Sequence, residues 1–98
     1  MVIWTIPARN DLKSIHEYIA LDSPFYAKKV VQEILARATA AADLPETGRM
    51  VPETEDPDIR EVFIYSYRCV YQIFSDHIAV LAVVHGQRNI SIDDIKNR

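Results

Sequence analysis

The chain has one cysteine, Cys69, and that scarcity excludes two kinds of site. No internal disulfide can form and no thiolate metal cluster can be built; a reducing cytoplasm fits this usage. Long apolar runs are also missing. The longest nearly uncharged stretch, Ile78 to Val84, falls far short of the roughly 20 residues a membrane helix needs. The N-terminus shows no basic region followed by an apolar core, so no secretion signal is expected. There is no low-complexity segment and no internal repeat. The histidines His16 and His77 lack ligand spacing, so no metal and no cofactor is expected. Gly86 alone makes no phosphate-binding loop.

What is present suits one domain spanning 1–98. Hydrophobic residues make up 49% and charged residues 26%, which is ordinary for a globular protein. A chain this short buries roughly 60–65% of the surface it exposes unfolded, so it folds alone with little surplus. The net charge is −3, but it is unevenly spread. Asp43, Glu46, Glu53, Glu55, Asp56 and Asp58 crowd segment 43–58 against Arg49 alone, which leaves the rest of the chain mildly basic. That is too little for a general nucleic-acid binder, though a small basic pocket is compatible with it.

Periodicity divides the chain. Val2 to Ile6 reads as a strand. Pro7 suits the first turn of a helix, where its missing N–H costs nothing. Ala8, Leu12, Ile15 and Ile19 form one helical stripe. Ser23 can cap a second helix opened by Pro24, whose stripe is Ala27, Val30, Val31, Ile34, Ala38 and Ala41. With almost no linker, the two helices are expected to form an antiparallel hairpin. Leu44 to Asp58, holding Pro45, Gly48, Pro52 and Pro57, is loop. Ile59–Tyr65, Tyr67–Phe74 and Ile78–His85 are strands joined by tight turns. The tail, Ser91 to Arg98, either makes one helical turn or frays. The expected class is α+β, a β-αα-βββ chain with the hairpin on one face of a small, mostly antiparallel sheet.

Two-residue turns at Tyr65-Ser66 and Ser75-Asp76 set the register, pairing Ile64 with Tyr67 and Phe74 with His77. Alternation then sends Val62, Ile64, Tyr67, Cys69, Tyr71, Ile73, Ile78, Val80, Ala82 and Val84 to the helices. The opposite face collects Glu61, Phe63, Tyr65, Arg68, Val70, Gln72, Phe74, His77, Ala79, Leu81, Val83 and His85, with Arg88 just beyond. A half-apolar open face on so small a protein calls for a partner. Glu61, Arg68, His85 and Arg88 there admit two readings. One is an anion site, with forked arginines for phosphate and His85 or Glu61 moving a proton. The other is a cross-strand Glu61–Arg68 ion pair, with His85 capping a strand end. Cys69, on the apolar face, reads as a core residue.

The ordered set Trp4, Ala8, Asp11-Leu12, Ile15, Tyr18-Ile19, Ser23-Pro24, Ala27, Pro45, Gly48-Arg49, Pro52-Glu53, Ile59-Arg60-Glu61, Tyr67-Arg68, Tyr71 and His85-Gly86-x-Arg88 resembles the RelE/ParE superfamily of toxins from bacterial type II toxin–antitoxin systems. The resemblance implies a co-expressed antitoxin that neutralises the toxin, often in a dimer of heterodimers (a heterotetramer). It also implies one of two targets. RelE-like members cut mRNA on the ribosome with basic residues of the open sheet face; the candidates here are Glu61, Arg68, His85 and Arg88. ParE-like members inhibit DNA gyrase. No lysine lies between Lys29 and Lys96, and residues 89–98 contain no aromatic residue or histidine. Together with the His-Gly-x-Arg ending, these departures are more similar to ParE-type and plasmid-stabilisation proteins. The expectation is a cytoplasmic gyrase inhibitor whose antitoxin- or target-binding face holds Phe63, Arg68, Val70, Gln72, Leu81, His85 and Arg88.

Overall fold

A computed structural model describes residues 1–90; the tail from Ser91 onward lies outside the described residues. Strand β1 (Val2–Trp4) leads into helix α1 (Ile6–Ala20) and helix α2 (Pro24–Asp43). A short 3-10 turn (Pro45–Thr47) and a two-residue strand β2 (Arg49–Met50) follow. Strands β3 (Ile59–Ile64), β4 (Tyr67–Ile73) and β5 (Ile78–His85) complete one five-stranded sheet, in the order β1-β5-β4-β3-β2. Only β1, paired with β5, runs parallel to its neighbour. The β-αα-βββ expectation therefore holds, with β2 as an addition that two residues could not announce.

Both helices begin where the side chains permit. Thr5 caps α1: its Oγ1 accepts from the N–H of Ala8 at 3.3 Å and donates to the Val80 carbonyl at 2.8 Å, so the cap also pins the helix to β5. That cap ends the first strand early, and Ile6, expected in the strand, opens the helix instead. Ser23 caps α2 through the N–H of Tyr26, with Pro24 in the first turn. The two stripes then bury Ala8, Ile15, Val30, Ile34, Ala38 and Ala41 against Val62, Ile64, Cys69, Tyr71, Ile78, Val80 and Val83 of the sheet. Cys69 is fully buried and its thiol is pushed up to about 12 by desolvation, so it packs as an apolar residue.

The β3–β4 register follows the expected turn, with Ile64 opposite Tyr67. Between β4 and β5 the expected register fails halfway. Tyr71 pairs with Val80 but Val70 pairs with Ala82, leaving Leu81 as an extra residue in a bulge. Beyond the bulge every side chain changes face. Val83 joins the core under the helices, whereas Ala82 and Val84 join Val70 on the far side. These three placements correct the simple alternation. Asp11 of α1 accepts from the Val83 N–H at 2.9 Å, so a helix carboxylate fixes the shifted backbone.

The far face is not open over its whole extent. Val51 and Ile90 lie on Ile59, Val70, Ala82 and Val84 and form a second core. The chain itself thus provides much of the cover that sequence reasoning assigned to a partner. Gly48 allows its own loop to close: a Cβ there would sit 2.1 Å from the Tyr71 hydroxyl, which donates to the Pro45 carbonyl at 2.6 Å. Tyr71 is fully buried and cannot retreat. Gly48→Ala is therefore expected to destabilise the domain by about 1–3 kcal/mol through overpacking. In thermal unfolding, an unchanged melting temperature would show that the loop yields freely.

Candidate functional site

Strands β2, β3 and β4 bring four charged side chains together on the face away from the helices. Arg49 lies opposite Glu61, and Glu61 opposite Val70. Two residues before Val70 on the same face is Arg68, so the two-residue period of the strands sets Glu61 and Arg68 diagonally. Glu53 reaches in from the loop that precedes β3.

Arg68 is only 4% exposed and Glu61 1%. Every nitrogen of the Arg68 guanidinium is engaged within the fold. Nε donates to Glu61 Oε1 at 2.7 Å. One terminal nitrogen donates to Glu53 Oε2 at 3.0 Å and to the Arg88 carbonyl at 3.1 Å. The other donates to Glu53 Oε1 at 3.0 Å and lies 2.6 Å from Glu61 Oε1. Glu61 uses its second oxygen to accept from Nε of Arg49 at 2.8 Å. Two guanidiniums and two carboxylates thus balance in charge, and Glu53 holds Arg68 by a two-pronged pair. Arg49 also lies over the Phe63 ring, 5.1 Å from its centre.

Glu53 has one further role. Its Oε2 accepts from the Ile90 N–H at 3.3 Å. Loop 51–58, the start of β4 and segment 88–90 therefore meet at one carboxylate. The Arg68 hydrogen bonds hold that carboxyl down at about 2, against an ordinary value of 4.5. In return Glu53, then Glu61, raises the guanidinium still further into its charged range. Arg60, on the other side of β3, ties that loop to the segment before β2: it donates to the carbonyls of Pro57, Glu46 and Gly48 at 2.7, 3.1 and 3.0 Å.

Of the residues sequence reasoning grouped as one surface, the structure keeps most together. Phe63, Arg68, Val70 and Gln72 share the far face, and Leu81 packs against its core. Phe63 is half exposed there, whereas Val70 is fully buried. Arg88 contributes a backbone carbonyl to Arg68 while the residue itself is exposed. His85 is separated from the others. The bulge turns it toward the helices, where its ring meets Tyr67 edge-on at 6.1 Å and lines a shallow cleft with Ser14, Ile15 and Tyr18. Glu61, Arg68 and His85 are thus not assembled into one acid–base and anion set. The ion-pair alternative describes Glu61 and Arg68. Sequence reasoning gave no role to Glu53 and read Gly48-Arg49 as loop punctuation with a neutralising charge; the Pro52-Glu53 and Gly48-Arg49 pairs were the only signals for them. Among the described residues, no three His, Cys, Asp or Glu side chains are grouped to hold a metal ion.

The β-αα-βββ chain with its helical hairpin on one sheet face fits a toxin of the RelE/ParE superfamily, and the comparisons show that it is one. Residues 2–90 match the family described as ParE toxin of type II toxin-antitoxin system, parDE, and the chain belongs to that family. It is 30% identical over 88 residues to Toxin RelE2 of Caulobacter vibrioides, covering 89% of this chain and 96% of that relative. A solved structure described as the chromosomal ParDE TA system from P. aeruginosa superimposes with a TM-score of 0.71 at 24% identity, covering 86% of this chain and 92% of that one, and this shows a shared fold. Membership in a type II family implies a cognate antitoxin.

Two outcomes follow from the cluster. Arg68→Ala leaves buried Glu61 facing no guanidinium but that of Arg49, and is expected to destabilise the fold by roughly 3–5 kcal/mol. A native-like melting temperature would show that the pair is dispensable. The depressed Glu53 carboxyl stabilises the folded state fully above about pH 4.5, and that contribution is lost as pH falls toward about 2. Glu53→Gln should start less stable and lose less stability across that acid range. An acid unfolding curve parallel to wild type would contradict the Glu53 assignment.

Proposed function

We propose that this toxin acts by binding a protein target, DNA gyrase, rather than by cutting RNA. One observation carries the reading: the arginine that a nuclease would need at the phosphate has every guanidinium nitrogen held within the fold, by four hydrogen bonds and a close ion pair. A transition-state clamp needs donors aimed at the developing charge. To supply them, Arg68 would have to leave two carboxylates, one of them fully buried. His85, the candidate proton carrier, faces the other side of the sheet, and Glu61, the candidate base, is buried in its ion pair with Arg68. The cytoplasm, neutralisation by the cognate antitoxin in a heterotetramer and a plasmid-stabilising role belong to the same reading. Within it, Phe63, Gln72, Leu81 and Arg88 are the accessible part of the antitoxin- or target-binding face.

The name Toxin RelE2 of the Caulobacter relative is what favours the second reading, a ribosome-dependent endoribonuclease. Purified toxin tested in parallel separates the two. Loss of gyrase supercoiling with mRNA left intact on translating ribosomes is the expected result. Codon-specific mRNA cleavage with supercoiling unaffected would replace the gyrase reading by the nuclease one.

A further inference from the structure

The turn between α1 and α2 and the turn between β3 and β4 lie at the same end of the molecule. Tyr26 of α2 meets Tyr65 of the β3–β4 turn at 6.5 Å between ring centres, and Tyr18 of α1 lines a cleft with Ser66 and Tyr67. This end is unusually apolar for a surface. Leu21 is 83% exposed and Phe25 79%; Tyr18, Tyr26 and Tyr65 are exposed beside them. Exposed apolar groups scattered singly need no explanation, but five at one tip mark an interaction site. Tyrosine is also a residue that interfaces favour, since it offers area at little entropic cost.

Tyr65 shows that the fold departs from its easiest form to keep this tip. Its φ is 55°, in the left-handed region, at the first residue of a two-residue turn. Such positions ordinarily take glycine, asparagine or aspartate. A bulky aromatic there stores strain, and strained residues collect at functional sites. The conformation sets the ring against Tyr26 and lets the hydroxyl donate to Glu33.

The rim of the tip gives the partner's chemistry. Phe25, Lys28, Lys29 and Gln32 line one shallow cleft on the outer side of α2, at the spacing of a single helix face. Among the described residues neither lysine makes an ion pair. An exposed phenylalanine beside two uncompensated ammonium groups complements an apolar side chain flanked by carboxylates. A nucleic acid fits less well: two lysines are too few to track a phosphate backbone, and the chain is negative overall.

We propose that this aromatic tip is the surface through which the toxin grips its target protein, and that the gripped segment is acidic and apolar. This rests on the reading that the chain acts by binding a protein. The test expresses the toxin without antitoxin and counts surviving cells for Phe25→Ser, Tyr65→Gly, the pair Lys28→Glu with Lys29→Glu, and the pair Lys28→Arg with Lys29→Arg. Phe25 is too exposed to matter for folding, and Tyr65→Gly relaxes the turn, so thermal unfolding should place both near wild type. Phe25→Ser, Tyr65→Gly and the glutamate pair are expected to raise survival by at least about tenfold while still capturing purified cognate antitoxin; the arginine pair should kill like wild type.

Killing undiminished in Phe25→Ser and Tyr65→Gly would overturn the proposal. So would loss of antitoxin capture with killing retained, which makes the tip an antitoxin contact. Undiminished killing by the glutamate pair would overturn the acidic partner. Saturable, tip-dependent binding of a labelled single-stranded oligonucleotide would overturn the protein assignment. If the tip variants lose killing while wild-type toxin leaves gyrase supercoiling intact, the gyrase reading fails and the tip stands.

Discussion

The face of the sheet away from the helices is organised by one buried guanidinium. Arg68 carries a charge into a place where water cannot solvate it, and the fold must answer with carboxylates or lose several kcal/mol. Glu61 does so from the neighbouring strand and Glu53 from the preceding loop. Glu61 in turn draws in Arg49 and so helps hold the edge strand β2. Glu53 draws in the N–H of Ile90. A single side chain thus determines where an acidic loop, a two-residue strand and the end of the described chain come to rest.

The same economy constrains function. A small domain has few arginines to place, and one used as a structural centre is not free for a phosphate. The β5 bulge adds to this by carrying His85 to the helical side, where it is exposed beside Tyr67. Among the described residues, large apolar and aromatic side chains remain exposed, Phe63 on the far face among them. A protein of this make-up is suited to association, and its family supplies one partner in the antitoxin.

Much of this was legible in the residues because it depends on local pattern. The helical stripes, Ser23-Pro24 and the two-residue turn at Tyr65-Ser66 each act over a few positions, and each appears where the pattern placed it. The bulge was not legible, because the extra residue Leu81 sits in an unbroken run of apolar residues with no glycine to mark it. Its fixing group, Asp11, lies 72 residues away. The cluster was half legible. Alternation put Glu61 and Arg68 on one face, but the part played by Glu53 depends on how a proline-rich loop folds back, and nothing local encodes that. Thr5 shows the same limit on a smaller scale, since its cap cut short a strand that apolar content alone extended to Ile6.

The direct measurement of the central claim is nitrogen-15 NMR of the Arg68 guanidinium in the free toxin. The account predicts separate, slowly exchanging Nε–H and terminal N–H signals that stay in place when inorganic phosphate or a short RNA oligonucleotide is added. A single averaged signal that exchanges rapidly with water and shifts on adding either ligand would contradict it, and would return Arg68 to service as an anion-binding group.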